Sequence, residues 1–234
     1  VRSRAGDPAA LRADDVAMQG WAVYLRGLTK DNFRDALVLF ERAAAMDDKS
    51  VRAWGGVSVV NATGAGLGWL PDRDAATRRV EQASERLQAL DDNDWFTWTS
   101  KASLANLRRD YESSLLIADA MIERFPSNPS PHFNRGLALM NLGRFEACDL
   151  PTQRALRIGP RDTQAGLWRW QLATCHFMRE QYPQAAEFAR AAAQTSPSLP
   201  LPPLTLAASL ARAGRGDEAR QLVADYRQRH PAFE

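Results

Sequence analysis

The sequence is poor in lysine, cysteine and histidine, carries almost no net charge and has no long apolar run. Lys30, Lys49 and Lys101 are the only lysines among thirty basic residues, so arginine supplies the rest, a matter of genome composition or surface preference. Thirty basic residues face twenty-eight acidic ones, for a net charge of +2. A nucleic-acid footprint needs a clustered excess of positive charge, so direct binding of nucleic acid is not expected. Two cysteines, Cys148 and Cys175, are too few and too isolated for a disulfide framework, and reduced thiols in a cytoplasmic setting are the expectation. The most apolar stretch, residues 198–211, is short and interrupted by Pro200, Pro202 and Pro203, which excludes it as a membrane span. Strand signals are absent. Nothing near Val1 reads as a secretory signal, and a first residue other than Met points to a processed chain or a piece of a longer one.

What the sequence does have is a period. Pro126, Pro160, Pro197 and Pro231 each close a helical pattern and lie 34, 37 and 34 residues apart. Tyr111, Phe145 and Tyr182 keep the spacings 34 and 37. Gly143 and Gly214 are 71 apart, the length of one short and one long unit together. Trp54 and Trp98 lie 44 apart, as do Asp48 and Asp92, which is 34 with a ten-residue insertion. Independent residue types in one register define a repeat. Small residues midway along each first helix (Ala102, Gly136, Ala173, Ala207) let the partner helix approach. Proline after each second helix stops it, and glycine after a first helix favours a left-handed cap. Twelve helices follow.

A 34-residue unit of two helices with these marks resembles the tetratricopeptide repeat, whose pattern is W-x2-L-G-x2-Y, then A-x3-F, then P. Trp98, Ala102, Tyr111 and Pro126 carry it in one unit, and Gly136, Gly143, Phe145, Ala155 and Pro160 in the next. Ala173, Tyr182, Ala185, Ala192 and Pro197 carry it in a third, and Ala207, Gly214, Ala219 and Pro231 in the last. The resemblance implies an all-α fold, a right-handed α-α superhelix of about six helix pairs. The chain, 1–234, then reads as one solenoid with units 17–50, 51–94, 95–128, 129–162, 166–199 and 200–233. The second unit carries the insertion 61–74, expected as a long loop anchored by Trp69 or Leu70. Two prolines stand out. Pro151 falls inside a second helix and should kink it at a cost of about 3 kcal/mol, whereas Pro183 lies in a first turn and is tolerated.

Residues that could carry chemistry have simpler explanations. Gly64, Gly66 and Gly68 lack the strand before and the helix directly after that a phosphate-binding fingerprint needs. Cys175 and His176 are helix neighbours and point about 100° apart, so a buried thiol beside a packed imidazole is expected rather than a nucleophilic pair. His132, His176 and His230 form no metal-ligand spacing. Arg78–Arg79 and Arg108–Arg109 read as solvated helix faces. Asp91, Asp92 and Asp94 sit at a helix boundary, where Asp94 or Asn93 can cap, and no closing glutamate completes a calcium loop. No catalytic set, metal site or cofactor is expected.

In tetratricopeptide proteins the first helices line a concave groove. Carried over position by position, this implies a partner-binding surface of Phe96, Asn106, Phe133, Asn134, Met140, Asn141, Leu167, Trp170, Gln171, Thr174, Phe177 and Met178. The surface is aromatic, rich in amides and low in charge, suited to a protein or peptide segment. The alternative is that Trp170 and Phe177 are core between repeats. The clustered cations of a chaperone carboxylate clamp are missing. The stretch Gly68–Trp69 leading to Leu90–Asp92, and Arg157–Asp162 running into Gly166–Trp168, resemble the C-terminal repeat regions of bacterial class III adenylate cyclases and winged-helix transcription regulators. That resemblance implies a non-catalytic regulatory module of a bacterial signalling protein. A second reading is a small-ligand sensor in which Trp170, Phe177 and the glycine-rich stretch enclose an apolar compound. The last unit lacks the polar capping helix that solenoids use, which opens a route to homodimers.

Overall fold

The computed structural model describes residues 8–229, and places them in twelve helices with no strand among the described residues. They pair in chain order as α1 (Pro8–Tyr24) with α2 (Lys30–Met46), α3 (Val51–Gly66) with α4 (Arg73–Leu90), and α5 (Trp95–Leu107) with α6 (Tyr111–Arg124). The series continues with α7 (Pro129–Asn141) and α8 (Asp149–Ile158), α9 (Ala165–Met178) and α10 (Tyr182–Thr195), α11 (Leu201–Arg212) and α12 (Gly216–Arg229). His230 and Pro231 lie outside the described residues. Contacts divide the chain into two compact units, Val1–Ile117 and Ala118–Glu234, the division falling within α6.

Local chemistry sets the helix ends. Thr29, Ser50, Asp72, Asp94 and Asn128 each accept a backbone N–H of the first turn on the side chain, which satisfies a donor the helix itself cannot. Asp94, at 2.7 Å from the Phe96 nitrogen, is the capping residue expected of the acidic cluster. The first helices α3, α5, α7, α9 and α11 all end alike. A residue in the left-handed region is followed by one whose N–H reaches back to a carbonyl five residues earlier, as in Arg144 to Leu139 and Arg215 to Leu210, both 2.9 Å. This closes the last turn by the Schellman pattern. Gly143 and Gly214 take that conformation at φ +74° and +80°, as their spacing predicted, while Arg109 and Glu180 take it at +61° and +60° without glycine's freedom.

In the first unit α1, α3 and α5 lie side by side, with α2 and α4 packed against them. Phe40, fully buried, is seated between two glycines: a Cβ on Gly20 or Gly56 would come within 2.7 or 2.2 Å of its ring. Rings then run on from Phe40 to Trp21 (4.9 Å), Trp21 to Phe96 (5.2 Å, stacked), and Tyr24 to Phe33 to Trp69 (5.1 and 4.9 Å). In the second unit α7, α9 and α11 are likewise neighbours, with α8 and α10 on them. The contacts are made by small residues: Ala173, Ala186 and Ala189 receive Leu206 and Leu210 of α11.

The structure differs from the sequence expectations in three places. Most of 61–74 is helix, because α3 runs on to Gly66 and α4 begins at Arg73. Asn61 bonds back to the Val57 carbonyl at 2.8 Å, and only residues 67–72 connect the helices. The expected anchors both hold: Trp69 meets Phe33 edge-on, and Leu70 lies against Gly64, where a Cβ would approach it at 3.1 Å. Second, α8 begins at Asp149, so Pro151 sits in its first turn and no kink forms. There proline removes no hydrogen bond, and the helix is shortened to ten residues instead of bent. Third, Cys148 and Cys175 form a disulfide across α8 and α9, with their Cα atoms 6.6 Å apart. The expected reduced, isolated thiols are overturned: 27 residues separate them in sequence, yet the α7–α8 connection folds back onto α9.

Candidate binding surface

Of the twelve residues carried over to a groove, the structure sorts some into packing. Phe96 is stacked on Trp21 and fills the space left by Gly55, where a Cβ would meet its ring at 2.4 Å. Asn106 clasps its own hairpin, its amide donating to the Ala102 carbonyl (3.1 Å) and the Ser114 hydroxyl (2.8 Å). Both belong to the first unit. In the second unit Phe133 and Leu167 are buried, and Phe133 tilts against Trp168 at 6.2 Å. Gln171 is wholly buried, and its amide finds no hydrogen-bond partner among the described residues.

The other seven stay at least partly open, all in the second unit. Asn134, Met140, Trp170, Thr174 and Phe177 are half-buried, Asn141 is exposed, and Met178 is 50% exposed. Trp170 donates its indole N–H to Thr205 of α11 at 2.9 Å, which fixes the ring across two first helices. The Thr174 hydroxyl donates to the Trp170 carbonyl at 3.1 Å. Phe177 meets Tyr182 edge-on at 5.5 Å, and the Arg212 guanidinium lies over that tyrosine at 4.8 Å.

The left-handed residues 143, 180 and 214 give a common register for α7, α9 and α11. Trp170 then aligns with Phe133 and Leu204, Thr174 with Leu137 and Ala208, Phe177 with Met140 and Ala211, and Met178 with Asn141 and Arg212. Leu137, Ala208, Ala211 and Arg212 thus share the positions of the sequence candidates but were missed by the sequence reading. Stepping 37 residues back from Thr174, and 34 forward from Thr174, Phe177 and Met178, would have found them.

Around the disulfide lies a polar cluster. Asp149 accepts from Arg179 at 2.8 Å and stands 3.4 Å from His176 Nε2. The His176 ring is stacked on Phe188 at 5.1 Å, with Nδ1 2.7 Å from Gln181. His176 therefore occupies the aromatic packing position expected of it, while Cys175 is committed to Cys148. His132 is held below the usual histidine range, chiefly by burial and then by Arg154 and Arg135, against a hydrogen bond to the Pro126 carbonyl. No three His, Cys, Asp or Glu side chains come together as metal ligands among the described residues. No described helix is long and apolar enough to cross a membrane.

No family model and no curated protein matches the sequence. Solved structures do. A thermophilic tetratricopeptide-repeat protein of Thermus thermophilus, TTC0263, is similar with a TM-score of 0.62 at 17% identity, over 85% of this chain and 98% of that one. YrrB, a tetratricopeptide-repeat protein, is similar at 0.52 and 12%, over 83% and 93%. The human protein IFIT1 is similar at 0.71 and 15%, over 92% of this chain but only 50% of its own, so the chain spans about half of it. The likeness shows the fold: an all-α solenoid of helix pairs of the tetratricopeptide type.

Proposed function

We propose that the chain is a non-catalytic scaffold that binds a protein or peptide segment along the first helices of its second unit. The observation that supports this best is the row of half-open side chains on α7, α9 and α11, with Trp170 held across two helices by Thr205. By contrast, Ala173, Ala186, Ala189, Leu206 and Leu210 of the same unit are buried in the contacts between its helices. A fixed aromatic ring beside Met140, Phe177 and Met178 offers apolar anchorage, while Asn134 and Asn141 can bond a peptide backbone. YrrB is described as carrying an unusual peptide-binding site, and IFIT1 was solved with capped RNA. A peptide is the better fit here, because Arg212 is the only cation among the aligned positions and its guanidinium already lies over Tyr182. The two stretches that resemble cyclase and transcription-regulator repeats support a regulatory role within a bacterial signalling protein. The cytoplasmic reading rested on reduced thiols and loses that ground with the disulfide. A pull-down from bacterial lysate tests the surface with wild type, Thr174→Arg and Glu187→Arg, the last on an exposed position of α10. Proteins kept by wild type and Glu187→Arg but lost by Thr174→Arg support it, and equal recovery by all three contradicts it.

A second reading, the small-ligand sensor, draws on a cleft of about 400 Å³ in the first unit. Phe33, Leu37, Val60, Trp69 and Leu70 line it, with the charged Lys30, Asp31 and Arg34. Trp170 and Phe177 are not part of it. An apolar acid bound there would change Trp69 emission, a change absent in Trp69→Phe.

A further inference from the structure

An open groove of about 650 Å³ lies between α11 and α12, lined by Ala207, Ala208, Ala211, Ala219, Val223 and Ala224. It repeats a seat seen elsewhere in the same unit. One step of 34 residues back, Ala173, Ala185 and Ala189 occupy the positions of Ala207, Ala219 and Val223. There the groove between α9 and α10 is filled by the next first helix, through Leu206 and Leu210. Among the described residues no helix fills the groove of α11 and α12. A seat of small side chains receives bulky ones from a facing helix.

The complement is on α1. Met18 and Leu25 are 54% and 56% exposed, and Ala22 between them is exposed as well. Their spacing of four and three places them on one stripe of the helix, with the bulky Met18 and Leu25 two turns apart. Asp15 extends the stripe and stands in no ion pair among the described residues, whereas neighbouring Asp14 is tied to Arg52 at 2.8 Å. Arg227, on the wall of this groove, likewise stands in no ion pair among the described residues, whereas Arg220 beside it is tied to Asp217. Bulky apolar knobs with a spare carboxylate match a small-residue groove with a spare guanidinium.

We propose that copies of this chain associate head to tail, α1 of one copy lying in the groove between α11 and α12 of the next. The contact joins two different surfaces, so it is heterologous and adds copies until a ring closes or growth stops. It differs from a dimer in which the two last units face each other.

The test uses two blocked variants measured by sedimentation: Met18→Glu with Leu25→Glu, and Ala211→Glu with Val223→Glu. Wild type is expected to gain mass with concentration, and each variant alone to stay at the monomer mass. An equimolar mixture of the two should give a species of twice the monomer mass and nothing larger, because only one free head and one free tail remain. In a second test Asp15→Arg and Arg227→Asp each weaken self-association, and the two changes together in one chain restore it. That exchange touches only exposed charges, so it stands whether or not the first variants fold. A wild type that stays monomeric, a head-blocked variant that still dimerises, no complex on mixing, or no restoration by the charge exchange would each overturn the proposal.

Discussion

Gly136 and Glu180 lie in successive repeats, and substitutions at the two are expected to move stability in opposite directions. A Cβ on Gly136 would meet Thr152 Oγ1 at 2.2 Å and Gln171 Nε2 at 2.5 Å. Ordinarily Gly→Ala inside a helix stabilises it, but here overpacking wins, and Gly136→Ala is expected to cost about 1–3 kcal/mol in chemical denaturation. Glu180 holds a left-handed conformation at φ +60° that costs a side chain energy. Glu180→Gly is expected to gain about 1 kcal/mol or less, relief of strain being partly offset by glycine's greater freedom in the unfolded chain. A stabilising Gly136→Ala would contradict the close packing of α7 on α8 and α9. Gly136 was legible as a small residue needed midway along a helix. The two residues that press on it were not, since Thr152 and Gln171 come from other helices.

At the scale of elements, the helix boundaries were written in proline, glycine and capping residues, and most could be read. Pro126, Pro160 and Pro197 each follow a helix by two residues. Pro151 misled because a kink and a late start are equal solutions to the same missing N–H, and only the packing of residues 142–148 onto α9 selects the late start. The disulfide pins that connection. Its ring spans 27 residues, for which the loss of unfolded-chain entropy is worth about 3–4 kcal/mol. Replacing Cys148 and Cys175 together by Ala is therefore expected to lower stability by that order, and reductant should destabilise wild type but not the variant. Equal denaturation curves with and without reductant would show that the bond does not form in solution. The insertion was misjudged for a related reason. Glycines at 64 and 66 read as loop, yet Gly64 serves as the surface on which Leu70 lies, and the helix continues through it.

Across the whole molecule, the repeat was visible because its marks are backbone requirements that recur in register. What the repeat displays was less so. Phe96 and Asn106 hold groove positions by analogy, but Trp21 and Ser114 occupy them as packing partners, and neither partner can be inferred from the unit that contains them. The exposed row survives in the second unit because α7, α9 and α11 lie side by side with Trp170 bonded to Thr205. A scaffold of this kind needs no catalytic set, and specificity then rests on which side chains the row presents. The most direct measurement is photo-crosslinking in cells with a benzoylphenylalanine at Met178, beside the same probe at Glu187 on α10. The scaffold account predicts discrete adducts from position 178 that disappear when Trp170→Ala is added, and none from 187. Adducts from 187 alone, or adducts from 178 indifferent to Trp170, would contradict it.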